Sequence, residues 1–114
     1  MGRDLLPEIR AVFRATPPDD TWIMWIIRSV LLNWDESLNQ ELLAELCLIA
    51  RRPDREGAAV AALVVLRRLV PPAEFQRLYD YLRGRYGDAP EMLADLDYEF
   101  GDLAASSQPD ETPA

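Results

Sequence analysis

The chain has 114 residues, about half of them apolar, enough for one domain around one core and too few for two. Its formal net charge is −8, and its twelve cations are all Arg, with neither His nor Lys anywhere. A net acidic surface disfavours direct binding to nucleic-acid phosphate or to an anionic membrane. The missing imidazole removes the commonest general base, every Ser-His or Cys-His pairing and any His ligand for a metal. Arg without Lys is what GC-rich coding produces, and the spread of Arg along the chain favours that origin over one site built for bidentate pairing.

Cys47 is the only cysteine, so no intramolecular disulfide can form and a reducing compartment is the simplest home. Set among Leu46, Leu48 and Ile49, it reads as a buried, inert thiol. The start of the chain has no apolar run of the secretory kind. The longest uninterrupted apolar stretch, Ala58 to Leu66, is nine residues. That is under half of the roughly 20 needed to cross a bilayer. These features predict a cytoplasmic protein.

Proline and glycine cut the sequence into pieces of helical length. Leu5 to Ala15 is the first, with Leu6, Ile9, Val12 and Phe13 on one face and Pro7 in the opening turn. After Thr16-Pro17-Pro18-Asp19-Asp20, the segment from Thr21 to Leu32 or Trp34 is apolar nearly all round. Its β-branched and aromatic residues would also suit a strand, but its length and the acidic pair ahead of it predict a central helix. Ser37 with Gln40 has the spacing of a capping box. Leu38, Leu42, Leu43, Leu46, Ile49 and Ala50 then repeat at helical spacing, with Glu41 and Glu45 on the wet face.

Pro53-Asp54 opens a second central helix running to about Leu69, in which Gly57, Ala58, Ala61 and Ala62 allow close approach. Pro71-Pro72 break it, and Pro72 suits the first position of a helix with Phe75, Leu78, Tyr79, Leu82 and Tyr86 inward. Gly87 is placed to take a left-handed conformation. Asp88 with Glu91 has capping-box spacing for a last helix carrying Met92, Leu93, Leu96, Phe100 and Leu103 inward. The fold expected is all-α: a compact single-domain bundle of five to six helices over residues 1–104. Two apolar helices lie at its centre, and a disordered acidic tail spans 105–114.

The charge is unevenly laid out. Residues 1–87 hold twelve Arg and twelve carboxylates, so the whole −8 falls in residues 88–114, which hold eight carboxylates and no cation. Glu91, Asp95, Glu99 and Asp102 recur at spacings that put them on one helical face. Such a row is either a solvated face, neutralised in part by Arg77, Arg83 or Arg85, or a docking surface for a basic partner. A regular acidic row can also imitate nucleic-acid phosphates. The second candidate surface is aromatic: Trp22 and Trp25 share a face and Trp34 closes the helix. At least two of the three indoles are expected to anchor the core, with part of the all-apolar helix left to be covered in a complex.

Chemistry is thinly represented. The five Gly are scattered, so no phosphate-binding loop exists. The run Asp95-Leu-Asp97-Tyr-Glu99-Phe-Gly101 misplaces the glycine of a calcium loop and lacks its closing Glu. Arg51-Arg52-Arg55 is the densest basic cluster but is diluted by Asp54 and Glu56. No cofactor or metal is implied.

The expectation is a non-enzymatic, protein-binding module of the inhibitor, adaptor or chaperone type. It presents Glu91, Asp95, Glu99 and Asp102, with any exposed part of Trp22, Trp25 or Trp34, to a basic protein. In its sharpest form it is a phage-type or anti-defence inhibitor of a nucleic-acid-binding protein. The alternative is a structural homo-oligomer, at its simplest a homodimer, or a small helical subunit of a larger assembly.

Overall fold

The computed structural model describes residues 2–52 and 56–106, and over these the chain is all-α. α1 (Gly2–Phe13) is amphipathic and buries Leu6, Ile9 and Phe13, with Pro7 tolerated in its first half. α2 (Asp20–Ser29) begins where the Asp19 carboxylate accepts the Trp22 amide at 3.1 Å, an N-cap that satisfies an otherwise orphaned donor. The segment that could have been a strand is therefore a helix, and it ends in a 3₁₀ turn at Leu31–Asn33.

The next segment departs from the single capped helix expected. Asp35, not Ser37, is the cap: its Oδ1 accepts from the Ser37 amide at 2.9 Å and the Ser37 hydroxyl at 3.0 Å. Those two bonds hold the Asp35 carboxyl below its ordinary range. α3 (Glu36–Asn39) then stops after one turn, where Asn39 is buried and donates Nδ2 to the Leu31 carbonyl at 2.9 Å. A 3₁₀ turn at Gln40–Leu42 re-aims the chain into α4 (Leu43–Ala50). Glu45 is not on the wet face: it is 5% exposed, bound by Arg10 at 3.2 Å and Arg14 at 2.5 Å. Arg10 also donates to the Glu41 carbonyl at 2.6 Å, so Arg10 of α1 and Arg14 just after its end fasten α1 across α4 and make the burial of Glu45 tolerable.

α5 (Ala58–Leu66) is the centre of the bundle, with every residue but Val64 at most 1% exposed. α2 and α4 pack on it, and α6 (Pro72–Arg85) and α7 (Pro90–Glu99) complete the enclosure. Its alanines let these neighbours approach closely, while Val60, Leu63, Val65 and Leu66 supply bulk. The expected start at Pro53-Asp54 lies outside the described residues. Gly57 is the N-cap rather than an interior residue and is left-handed at φ +92°.

α6 begins with Pro72 in its first turn, as expected, and buries Phe75, Leu78, Tyr79 and Leu82. Gly87 does not take the expected positive φ; Tyr86 closes α6 instead. Ala89 caps α7 without a side-chain bond, so Asp88 and Glu91 do not form the capping box. α7 gives way at Phe100 to a short α8 (Gly101–Ser106), which reaches past the expected boundary at residue 104. The expected tail from 107 onward lies outside the described residues. Among the described residues no helix is long and apolar enough to cross a membrane.

Two glycines give opposite expectations. In Gly57→Ala the new Cβ would meet Met24 Sδ at 3.2 Å in a backbone conformation L-residues avoid. The substitution should cost about 1–2 kcal/mol. In Gly84→Ala nothing lies within 4 Å of the new methyl. It should stabilise by roughly 0.5 kcal/mol by restricting the unfolded chain. Urea midpoints at unchanged slope check both.

Candidate functional site

The inner face of α2 is given over to Ile23, Ile26 and Ile27, which are at most 5% exposed. Residues one and two positions away must point elsewhere, and the indoles do. Trp22 is 45% exposed and Trp25 51%, so the expectation that at least two of the three tryptophans anchor the core is overturned. Only Trp34 is partly buried against the core. The three isoleucines occupy the buried side of α2, which packs on α5 and α1, and a close-packed interior there leaves the indoles outside.

The two outer indoles stack on each other, ring centroids 5.0 Å apart and planes 7° from parallel. Mutual stacking shields one face of each and leaves the rest to solvent. Trp22 also forms one wall of an apolar groove of about 250 Å³ between α1 and α2. Its rim includes Leu5, 43% exposed, and its floor Ile9 and Ile26. Leu5, Trp22 and Trp25 are thus one continuous exposed apolar surface, with Glu8 the charged residue of the groove.

The acidic row is not a single face. Phe100, at φ −129° and ψ 40°, breaks the helix between Glu99 and Asp102, so the four carboxylates belong to two helices. Glu99 is paired with Arg28 of α2 at 3.3 Å. Asp102 takes two bonds from Arg67, whose guanidinium also lies 5.8 Å over the rings of both Phe75 and Phe100. Glu91 and Asp95 are exposed and make no ion pair among the described residues. Neutralisation comes chiefly from Arg28 and Arg67 rather than from the preceding helix; Arg83 of α6 takes Asp97 at 2.8 Å, outside the row. Sequence spacing could not show this, because the pairing residues lie 35 and 71 positions away along the chain from Asp102 and Glu99 respectively (102 − 67 and 99 − 28).

The arginines are also regrouped. Arg52 is engaged by Asp20, whereas Arg51 lines a cleft of about 240 Å³ with Glu74, Arg77 and Tyr81, and Arg85 lies 5.9 Å over the Tyr81 ring. Cys47 is partly buried; burial and the nearby Glu74 push its thiol up, against the pull of Arg51. A thiol so placed is a poor nucleophile at neutral pH.

The Arg67 bonds hold the Asp102 carboxyl below its ordinary value. The pairing therefore contributes above the unfolded-state value and is lost as pH falls through the depressed one. In Arg67→Ala, Asp102 should titrate back near its ordinary value in a carbon-detected NMR titration; an unmoved midpoint contradicts the pairing. No protein-family model, curated protein or solved structure matches this chain.

Proposed function

We propose that the protein is a non-catalytic protein-binding module, of the inhibitor, adaptor or chaperone kind, whose contact surface centres on Trp22 and Trp25. The observation that carries this is the stacked, half-exposed indole pair beside an apolar groove. Leaving two tryptophans wet on so small a domain forfeits burial that a partner can recover. At about 25 cal/mol per Å², covering the exposed half of one indole returns roughly 2–3 kcal/mol. Tryptophan is also the residue most enriched among those that dominate interface energies.

The carboxylates keep a lesser role. Glu91 and Asp95, exposed and outside any ion pair among the described residues, favour a partner with basic character and speed its approach. Imitation of a phosphate row would need all four carboxylates free on one helix, and Glu99 and Asp102 are committed to Arg28 and Arg67. Self-association through the Ala-rich helix has no surface to use, since α5 is enclosed. The outer face of α2 is the surface that self-association would have to share.

A photo-crosslinking residue at position 25, in cells that make the protein natively, should give a discrete adduct with another protein. Trp22→Ala with Glu8 intact should lower the yield by about tenfold, the loss expected when one anchoring indole is removed. Glu91→Arg with Asp95→Arg should slow association a few-fold at low salt and change little at high salt. An adduct indifferent to Trp22→Ala, in a variant that still melts like the parent, would contradict the proposal.

A further inference from the structure

Each wall of the α1–α2 groove is a ridge at helical spacing. α1 contributes Leu5, Glu8 and Val12, and α2 with its cap contributes Trp22, Ile26 and Val30. From Trp22 to Val30 the ridge is about 12 Å long, two full turns of helix. Two helices packed side by side with their shared apolar furrow open to solvent present the grooves into which a third helix sets its own ridge. An extended strand would find no free backbone edge here to pair with, since the groove is walled by helices whose amides are bonded within their own turns.

The charge at the groove selects among helices. Glu8 is its charged lining residue, exposed and without an ion pair among the described residues. The stacked indoles beside it offer the aromatic face that a guanidinium or ammonium prefers. A carboxylate on one wall and a tryptophan on the other favour a cation set at the edge of an otherwise apolar ridge. A second copy of this chain is a poor occupant: its own α1 would bring Asp4 and Glu8 against the same carboxylate. The chain's last eight residues, Ser107 to Ala114, supply no large apolar side chain and two more carboxylates.

Resting on the protein-binding reading, we infer that the α1–α2 groove seats an amphipathic helix of another protein, with apolar residues two turns apart on the floor and an Arg or Lys set against Glu8 and Trp22. The recognition is thus helix-in-groove, with Leu5 and Trp22 closing over the incoming ridge and Trp25 bracing Trp22 from behind. The carboxylates of α7 play no direct part in it.

Two 16-residue amphipathic peptides, identical in their Leu ridge and differing by Arg or Glu at the ridge edge, would serve as probes against the full chain. By fluorescence anisotropy the Arg peptide should bind at least roughly tenfold more tightly than the Glu peptide, and Glu8→Arg should invert that order. Trp22→Ala should weaken the Arg peptide by a similar factor, and NMR shifts on binding should fall on Leu5, Val12, Ile26 and Val30. Equal binding of the two peptides, or an order unmoved by Glu8→Arg, would overturn the inference. If neither peptide binds while the position-25 adduct still depends on Trp22, the basic helix is wrong and the protein-binding surface stands. If the Arg peptide binds as described while no adduct forms in cells, the groove's preference stands and the cellular role falls.

Discussion

Nine consecutive apolar residues, Ala58 to Leu66, must be kept from water on every side, and a chain of 114 residues has few elements with which to do it. α2 and α4 lie directly on α5, and α6 and α7 close the remainder. Helices used as covering layers are single-sided resources: whatever α2 presents inward it cannot present outward. Ile23, Ile26 and Ile27 take the buried side of α2, and Trp22 and Trp25 are consequently turned to solvent. The exposed aromatic pair is therefore a by-product of how the core is enclosed as well as the most telling feature of the surface. Evolution could have made that outer face polar at no expense to the core, and the residues there are indoles.

Much of the architecture was legible from spacing and punctuation. Prolines at 71 and 72 marked the start of α6, and the stripe from Phe75 to Tyr86 was recovered residue by residue. Local chemistry was less transparent. Asp35 outcompeted Ser37 as a cap because its carboxylate reaches both the amide and the hydroxyl of Ser37, a stronger arrangement than a hydroxyl alone. Glu45 is buried because Arg10 of α1 and Arg14 just beyond it converge on it, a fact that no helical wheel of α4 contains. The outward tryptophans are hidden from sequence for a related reason. On a helix apolar all round, periodicity cannot say which side faces the core, and the small residues of α5 favoured branched aliphatic neighbours.

The charge layout shows the same division between local and distant information. Spacing correctly grouped Glu91 and Asp95 on α7, but the break at Phe100 and the reach of Arg28 and Arg67 split the row into an open half and a committed half. The committed half ties α7 and α8 to α2 and to the end of α5, with Arg67 lying over the adjoining rings of Phe75 and Phe100. Among the surfaces open to a partner are an apolar furrow with one carboxylate, the two stacked indoles and the exposed carboxylates of α7. That combination favours a partner that is apolar at its centre and basic at its edge.

On the proposed reading, the Trp22–Trp25 face, half-exposed in the single chain, is covered by a different molecule and not by a second copy. Sedimentation velocity over a wide concentration range, with tryptophan emission and acrylamide quenching recorded on the same samples, tests it most directly. The expected result is a particle that stays at 13.0 kDa, with two of its three indoles accessible to quencher at every concentration. A mass that rises with concentration while those indoles become blue-shifted and protected would show that the face is covered by a second copy, and the claim would fail.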